Sequence, residues 1–391
     1  MTRNVFDVAV MGAGPGGAIA AHECARMGLR TILLEKETLP RRKVCGGGLS
    51  SKSLDILPFS LEPVMEERVV SGWVAQGNGR ALVVPIGRPG MMVCRESFDA
   101  FLAERAVAAG ARLVECFDLD DVERNGTALT LVPRRGQKFH AQVVIAADGA
   151  QSVVRRRLFP EAHPQTAAAL EARVVPADWA RARLTDRCLF DFGAVDGGFA
   201  WIFPKRDHFN VGVYRFRKTP ASRDLQAVLT SFLAGNAFLR AARIQDVAGA
   251  LIPVSPCAGS LVRSGVMLVG DAAGLGDALF GEGIYSALRS GLDAAASIVA
   301  HLAGGAPLTA YDDRVKPLRR HLRAAAAMAT FLYRFPRFAF DRMARSPYAS
   351  RQVAGVITGE VSSLQSLMQG VAAAPYWLMA GQRPVGPLPS E

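Results

Sequence analysis

The chain has no CxxC pair, no cysteine cluster, no internal repeat, no low-complexity stretch and no second GxGxxG turn. Its six cysteines (Cys24, Cys45, Cys94, Cys116, Cys188 and Cys257) stand singly. That spacing excludes the usual zinc and iron–sulfur ligand sets, so no metal is expected. It offers no disulfide framework either, and fits a reducing cytoplasm. No run reaches the roughly 18 to 20 apolar residues that cross a bilayer. The longest, Ala324 to Tyr333, is bracketed by Arg323 and Arg334. The first strand begins by Val5, which leaves no room for a signal peptide and supports a cytoplasmic expectation. Acidic residues are few beside basic ones, giving a net charge of +11 over 391 residues. That balance suits an acidic ligand or an anionic membrane surface. Basic residues are not interleaved with aromatics on any one element, which argues against nucleic acid. Half the residues are apolar, so the chain buries a large core, and two domains are expected.

What is present starts at once. Val5 to Met11 reads as a buried parallel strand, followed by Gly12-Ala13-Gly14-Pro15-Gly16-Gly17 and a small-residue helix from Ala18 to Met27. A second strand, Thr31 to Leu34, ends in Glu35. A helix N-terminus offers free N–H groups and a positive dipole end to an anion, and glycine lets a pyrophosphate approach. Gly17 lets the helix pack on the strand, and Glu35 can accept from ribose hydroxyls. A lone GxGxxG is a weak signal. Here strand, helix and acid all stand at the expected distance, which predicts a dinucleotide site.

Farther along, Lys36 to Ser50 is a loop carrying Cys45-Gly46-Gly47-Gly48, a segment better suited to backbone approach than to a core. Val69 to Val84 reads as strands turning at Gly77-Asn78-Gly79, and a helix is expected from Ser97, as N-cap, to Ala109. Leu119 to Val132 is a hairpin about Asn125-Gly126. Val143 to Gly149 is another buried strand, ending in Asp148-Gly149; the Arg155-Arg156-Arg157 run after it reads as a solvated helix face. From about Thr166 to Pro253 alternating strands take over, with a helix near Leu225 to Leu233. A core strand at Val266 to Val269 then runs into Gly270-Asp271-Ala272-Ala273-Gly274 and a helix from Gly283 to Leu302. The fold expected is α/β. A discontinuous Rossmann-like nucleotide-binding domain (1–68, 93–165 and 254–310) accompanies an antiparallel-sheet substrate domain (69–92 and 166–253). A helical C-terminal region (311–391) follows, broken at Pro336, Pro347 and Pro375.

The N-terminal glycine turn with Glu35, the Asp148-Gly149 pair and Gly270-Asp271-Ala272-Ala273 together resemble the FAD-dependent oxidoreductases of the aromatic-hydroxylase fold. The resemblance covers residues 5 to 300. It implies that Gly12, Gly14 and Gly17 cradle the FAD pyrophosphate and that Glu35 holds the adenosine ribose. Asp271 meets the ribityl or pyrophosphate portion, Arg95 lies near the cofactor, and Asp148 and Gly149 shape the site. The cofactor set expected on this basis also takes in Pro15, Gly16, Lys36, Cys45, Gly46, Gly47, Gly270, Gly281, Gly283 and Ile284.

Two further motifs set the branch. Lys43-Val44-Cys45-Gly46-Gly47-Gly48-Leu49-Ser50 and Gly197-Gly198-Phe199-Ala200-Trp201-Ile202-Phe203-Pro204-Lys205 resemble segments of the geranylgeranyl reductases, as does Gly281-Glu282-Gly283-Ile284-Tyr285. Phe199 departs from the usual tyrosine, Tyr214 from a glycine and Ala278 from a proline. The resemblance implies a reductase that saturates C=C bonds of a long isoprenoid chain on a lipid, diphosphate or quinone.

An isolated trisubstituted alkene does not take up hydride unaided. A proton must reach one carbon so that cationic character builds on the other. Cys45 is the candidate acid, since a thiol is mostly protonated at neutral pH; a buried structural cysteine is the competing reading. Phe199, Trp201 and Phe203 alternate on one strand face, and Pro204 ends the pairing. They read either as core or as a substrate wall whose ring faces stabilise positive charge. The expected catalytic set is Cys45, Trp201 and Phe199, and the expected substrate set is Phe199, Trp201, Phe203 and Pro204.

A monooxygenase (hydroxylase) or a halogenase of the same fold is the alternative. A hydroxylase would typically show a histidine and a proline after GDAA, where Gly274 and Ala278 stand. A halogenase needs a lysine after the first βαβ unit, and none lies between Lys52 and Lys138. The reductant is expected to be NAD(P)H or a ferredoxin, and the protein a monomer. The tail, with Arg334, Arg337, Arg342 and Arg345 among Phe331, Leu332, Phe335, Phe338 and Phe340, reads either as packing or as a peripheral contact with an anionic membrane surface.

Overall fold

The computed structural model describes residues 5–77, 80–126, 128–217, 224–346, 355 and 386–387. The chain opens with strand β1 (Val5–Met11), helix α1 (Pro15–Arg26) and β2 (Thr31–Leu34). Short β3 (Gly48–Leu49) and α2 (Ser51–Asp55) lead to the long strands β4 (Met65–Ala75) and β5 (Arg80–Val93). Helix α3 (Arg95–Ala108), β6 (Arg112–Val114), β7 (Leu119–Asn125), β8 (Ala128–Pro133), β9 (Phe139–Ala146) and α4 (Val153–Leu158) follow. Then come β10 (Thr166–Val175), α5 (Asp178–Leu184), β11 (Arg187–Asp191), β12 (Gly198–Pro204), β13 (Phe209–Arg215), α6 (Leu225–Gly235) and β14 (Arg243–Pro253). The chain closes through β15 (Val262–Arg263), β16 (Val266–Leu268), α7 (Ile284–Leu302), α8 (Ala310–Arg334), α9 (Pro336–Arg345) and β17 (Gly386–Pro387).

These strands form two sheets. The first runs β15-β16-β9-β1-β2-β6, with β7 and β8 joined to it beside β9. Its β16, β9, β1, β2 and β6 pair in parallel, and Val8, Ala9 and Val10 at its centre are fully buried. Burial on both faces explains the unbroken apolar runs that mark these strands. The second sheet runs β14-β10-β13-β12-β11-β4-β5-β17, with β3 on β5. It is antiparallel except where β11 pairs with β4. The fold is therefore α/β, with a mostly parallel and a mostly antiparallel sheet. Strand β4 starts at Met65, so the expected boundary at residue 69 falls inside it.

Two local expectations change. Helix α3 starts at Arg95 rather than after Ser97, because β5 runs to Val93 and extended Cys94 (φ −86°, ψ 130°) makes the turn into the helix. Ser97 Oγ instead donates to the Cys94 carbonyl at 3.0 Å. The Arg155–Arg157 run is not one solvated face. Arg155 is buried, donating to the carbonyls of Ala150, Asp271 and Ala272, and so ties α4 to the GDAA segment. In the tail, Pro336 opens α9 at its first turn, where its missing N–H costs nothing. Pro347 and Pro375, the Asn78-Gly79 turn and most of the region beyond 346 lie outside the described residues. The terminal pair Gly386–Pro387 is extended and pairs with Arg80 and Ala81.

Candidate active site

The N-terminal turn shows why glycine is needed. Gly12 has φ +94°, and a Cβ there would sit 2.4 Å from the carbonyl oxygen of Ala147, the residue that follows β9. At Gly17 a Cβ would meet the Gly12 carbonyl oxygen at 1.9 Å, so α1 lies directly on its strand. Gly14 differs. Among the described residues, its only non-adjacent neighbour within 4 Å would be Arg41 Nη2, at 4.0 Å. The N-terminus of α1 thus opens onto a cavity of about 770 Å³ between the two sheets.

Gly12, Gly14, Pro15, Gly16, Glu35 and Lys36 line one end of that cavity. Glu35 is 5% exposed, and its Oε2 accepts from Ala13 N–H at 2.8 Å. Arg41, which sequence reasoning missed, stands beside it with Nε 3.1 Å from Glu35 Oε1 and Nη1 3.1 Å from Asp99. Asp99 also receives Arg95 Nε at 2.7 Å and Nη2 at 2.8 Å. A buried Arg41–Asp99–Arg95 chain therefore runs from the Glu35 end towards Cys45, where Arg95 lies beside the thiol.

The middle of the cavity is lined by Asp148, Gly149, Gly270, Asp271, Gly281, Gly283 and Ile284. Burial pushes the carboxyls of Asp148 and Asp271 above the usual carboxylate range. Asp148 Oδ1 has no hydrogen-bond partner among the described residues. A buried acceptor left open beside a glycine turn is what a hydroxyl-bearing cofactor satisfies. Glu282, between the two glycines, pairs with Lys52 at 2.8 Å and accepts from Ser50 Oγ at 2.8 Å. It fixes the N-terminal approach to α7 against the loop that carries Cys45.

At the far end the lining changes to Cys45, Gly46, Gly47, Phe199, Trp201, Phe203, Phe190, Phe280 and Tyr214. Gly47 (φ +66°) and Gly46 leave no room for side chains. A Cβ would meet the Val93 carbonyl oxygen at 2.0 Å or the Phe203 ring at 2.8 Å. The rings of Phe199, Trp201 and Phe203 follow one another at 6.1 and 6.0 Å between centroids. Trp201 lies over Gly212, and its Nε1–H donates to Asn210 Oδ1 at 2.7 Å. Asn210 Nδ2 donates to Glu171 Oε2 at 3.0 Å, and the same oxygen accepts from Cys45 N–H at 3.0 Å. Tyr214 is fully buried against Phe199, and its hydroxyl donates to the Ala278 carbonyl at 2.8 Å. Two of the three departures noted in the sequence, Tyr214 and Ala278, are thus bonded to each other.

The FAD binding domain family matches residues 5–329. The digeranylgeranylglycerophospholipid reductase of Methanocaldococcus jannaschii is 31% identical over 74% of this chain and 76% of its own length. That of Methanothrix thermoacetophila is 31% identical over 81% of this chain and 85% of its own. The chain belongs to the geranylgeranyl reductase family of FAD-dependent oxidoreductases. A solved geranylgeranyl bacteriochlorophyll reductase-like protein from Thermoplasma acidophilum shares its fold, with a TM-score of 0.75 over 96% of this chain and 98% of that one at 22% identity. A flavin-dependent brominase does so as well, with a TM-score of 0.74 over 95% and 99% at 20% identity. These two likenesses speak to the fold alone.

For a geranylgeranyl reductase family member, the open N-terminus of α1, the unsatisfied Asp148 oxygen and the glycine-walled loop at Cys45 fit FAD, the family's cofactor. Of the residues expected from sequence, Gly17 and Pro204 do not line the cavity. Gly17 is packing, and Pro204 is the last residue of β12, paired with Phe209. Lys36 is at the rim, its ammonium 3.7 Å from Asp118. Arg41, Asp99, Arg155, Glu171, Asn210, Lys205 and Glu282 were not foreseen. Arg155 stood in the basic run and Lys205 and Glu282 in the quoted motifs with no role assigned; the others are single polar residues in ordinary local contexts, and only the fold brings them to the site. No helix of the described residues is long and apolar enough to cross a membrane.

Proposed function

We propose that this FAD-dependent oxidoreductase saturates C=C bonds of a long isoprenoid chain. The observation that carries the reading is the continuity of one cavity from the α1 N-terminus to an apolar chamber walled by Phe199, Trp201 and Phe203. Gly12, Gly14, Gly16 and the α1 N-terminus hold the FAD pyrophosphate, Glu35 with Arg41 the adenosine end, and Asp148 and Asp271 the polar middle. Bound FAD, once reduced, supplies a hydride equivalent. The chain's own residues do the rest. The aromatic wall excludes water and places an alkene beside the Cys45-Gly46-Gly47 loop. Cys45 delivers the proton to carbon, and the faces of Trp201 and Phe199 stabilise the cationic character that builds. The similarity to digeranylgeranylglycerophospholipid reductases supports a lipid-borne prenyl group as substrate.

The tail supports delivery from a membrane. Leu332, Tyr333 and Phe340 turn inward onto the aromatic cluster. Phe331, Phe335 and Phe338 face out, 53%, 48% and 52% exposed, with Arg334 over the Phe335 ring and Arg342 over that of Phe338. Exposed rings flanked by guanidinium groups suit the headgroup region of an anionic bilayer.

The decisive experiment is anaerobic. The holoenzyme is reduced and mixed with prenyl alkenes carrying alcohol, diphosphate or glycerolipid head groups; flavin reoxidation and product mass are followed. A gain of two hydrogens is expected. Turnover only after oxygen is admitted, with a gain of one oxygen atom, would overturn the reading in favour of a monooxygenase.

A further inference from the structure

A second cavity of about 280 Å³ adjoins the first, and its lining contrasts with the aromatic end of that one. Apart from Val93 its lining side chains are polar, charged or thiol, so it is a place for water. Five residues line both cavities and form the wall between them: Arg42, Lys43, Cys45, Arg95 and Glu171. A proton crossing that wall needs groups that both accept and release it. The two guanidinium groups hold their protons, and the Lys43 ammonium has no lone pair to receive one. That leaves a thiol and a carboxyl.

Glu171 is built for the crossing. It is 7% exposed, on β10. Its Oε2 is committed to two N–H donors, Cys45 N–H and Asn210 Nδ2, each at 3.0 Å. Those bonds fix the carboxyl plane, and no donor of the described residues is bonded to Oε1. Burial pushes its carboxyl above the usual range, against the opposing pull of the Asn210 and Cys45 N–H donors and of the Arg42 and Lys205 charges. The charged groups around it come from every neighbouring element. Arg42 and Lys43 come from the loop after β2, and Arg95 and Glu96 from the start of α3. Lys205 and His208 come from the β12–β13 turn, with Arg173 on its own strand and Asp246 on β14. Asp246 is paired with Arg42.

We propose that Glu171 is the proton relay of this enzyme, taking up protons from the polar cavity and passing them across the shared wall to Cys45. The inference rests on the alkene-reductase reading above. In balance, the π pair of the alkene takes the Cys45 proton to form one C–H bond, and the hydride equivalent from reduced FAD forms the other. The thiolate is reprotonated from Glu171 Oε1–H, and the carboxylate from water in the second cavity. Glu171 never touches substrate; it acts through Cys45.

The test uses FAD-loaded Glu171→Gln, whose amide oxygen can still accept from Cys45 N–H and Asn210. FAD content and the rate of flavin reduction by dithionite are expected to match wild type. The first turnover, whose proton Cys45 already holds, is expected at the wild-type rate, but anaerobic steady-state turnover of geranylgeraniol with dithionite in excess is expected to slow about 100-fold, the scale of one lost acid–base group. The wild-type fall in that rate at alkaline pH is expected to vanish, and Glu171→Asp to recover part of it. Steady-state turnover at the wild-type rate with an unchanged pH profile would overturn the relay. Infrared difference spectra of wild type against Glu171→Gln at neutral pH decide the matter independently of turnover. The carbonyl stretch of a protonated carboxyl is expected in wild type alone, and its absence overturns the relay. Wild-type enzyme inert towards every prenyl alkene, yet showing that band, would instead sink the substrate reading.

Discussion

Glu171 Oε2 lies 3.0 Å from the backbone nitrogen of Cys45, across 126 residues of chain. Through Asn210 the same oxygen reaches the indole of Trp201. One buried carboxyl therefore sets the position of both motifs by which the sequence resembles its family, the thiol loop and the tryptophan strand.

Gly14 and Gly17 are expected to separate cofactor binding from folding. Gly14→Val places its side chain in open space, so the FAD-free protein should unfold within about 0.5 kcal/mol of wild type while FAD content falls sharply. Gly17→Ala drives a Cβ into the Gly12 carbonyl and should cost stability itself, about 1–3 kcal/mol. Denaturant titration and flavin absorbance measure the two.

Arg41→Ala leaves Glu35 and Asp99 without a shared guanidinium in a site where all three side chains are at most 11% exposed. Removing one partner of a buried pair costs about 3–5 kcal/mol, and the retained Arg95–Asp99 pair places this variant near the low end. FAD affinity should fall with it. Wild-type affinity, titrated into the FAD-free variant, would remove Arg41 from the cofactor site.

Gly212 is the floor beneath Trp201. Gly212→Ala puts a Cβ 2.2 Å from the indole Cζ2 and 2.6 Å from the Leu170 carbonyl oxygen. The indole must tilt and lose its Asn210 bond, so the alkene step should slow by at least about tenfold with FAD still bound. Trp201→Phe, which removes the N–H but keeps a ring, should be milder. Anaerobic single-turnover rates rank the two.

Lys205 carries a pH signature. Burial holds its ammonium down to about pKa 8 from 10.5, although it donates to the carbonyls of Gly46 and Val93 at 2.8 Å. Between about pH 8 and 10.5 the unfolded chain holds a proton that the folded one has released. Stability therefore gains from this group as pH rises through that window, by up to about 1.4 kcal/mol per unit, and the gain is lost as pH falls through 8. Denaturation of wild type against Lys205→Met should show a difference that changes across that window and is flat from pH 6 to 7.

Replacing Phe331, Phe335 and Phe338 with aspartate should abolish pelleting with phosphatidylglycerol vesicles without changing FAD content. Equal pelleting of variant and wild type would remove the tail from membrane contact. Suppression of wild-type binding by salt would locate the arginine contribution.

The sequence by itself determined the dinucleotide turn, the α/β class and the family. Those rest on local patterns: unbroken apolar runs for doubly buried strands, glycines where a carbonyl lies under 2.5 Å from a would-be Cβ, and aromatics at period two. It misplaced the start of α3 because a helix can begin on any extended residue, and Cys94 carries no capping side chain to mark it. It read Arg155 as solvated because burial of a guanidinium is decided by the carbonyls that other segments bring to it. Only the tertiary structure decided that Glu171, Asn210 and Lys205 meet at Cys45, and that a polar cavity backs the aromatic end of the larger one. Polar contacts across 39, 126 and 159 residues leave no periodicity in the chain; they exist only once the two sheets have set where each strand ends.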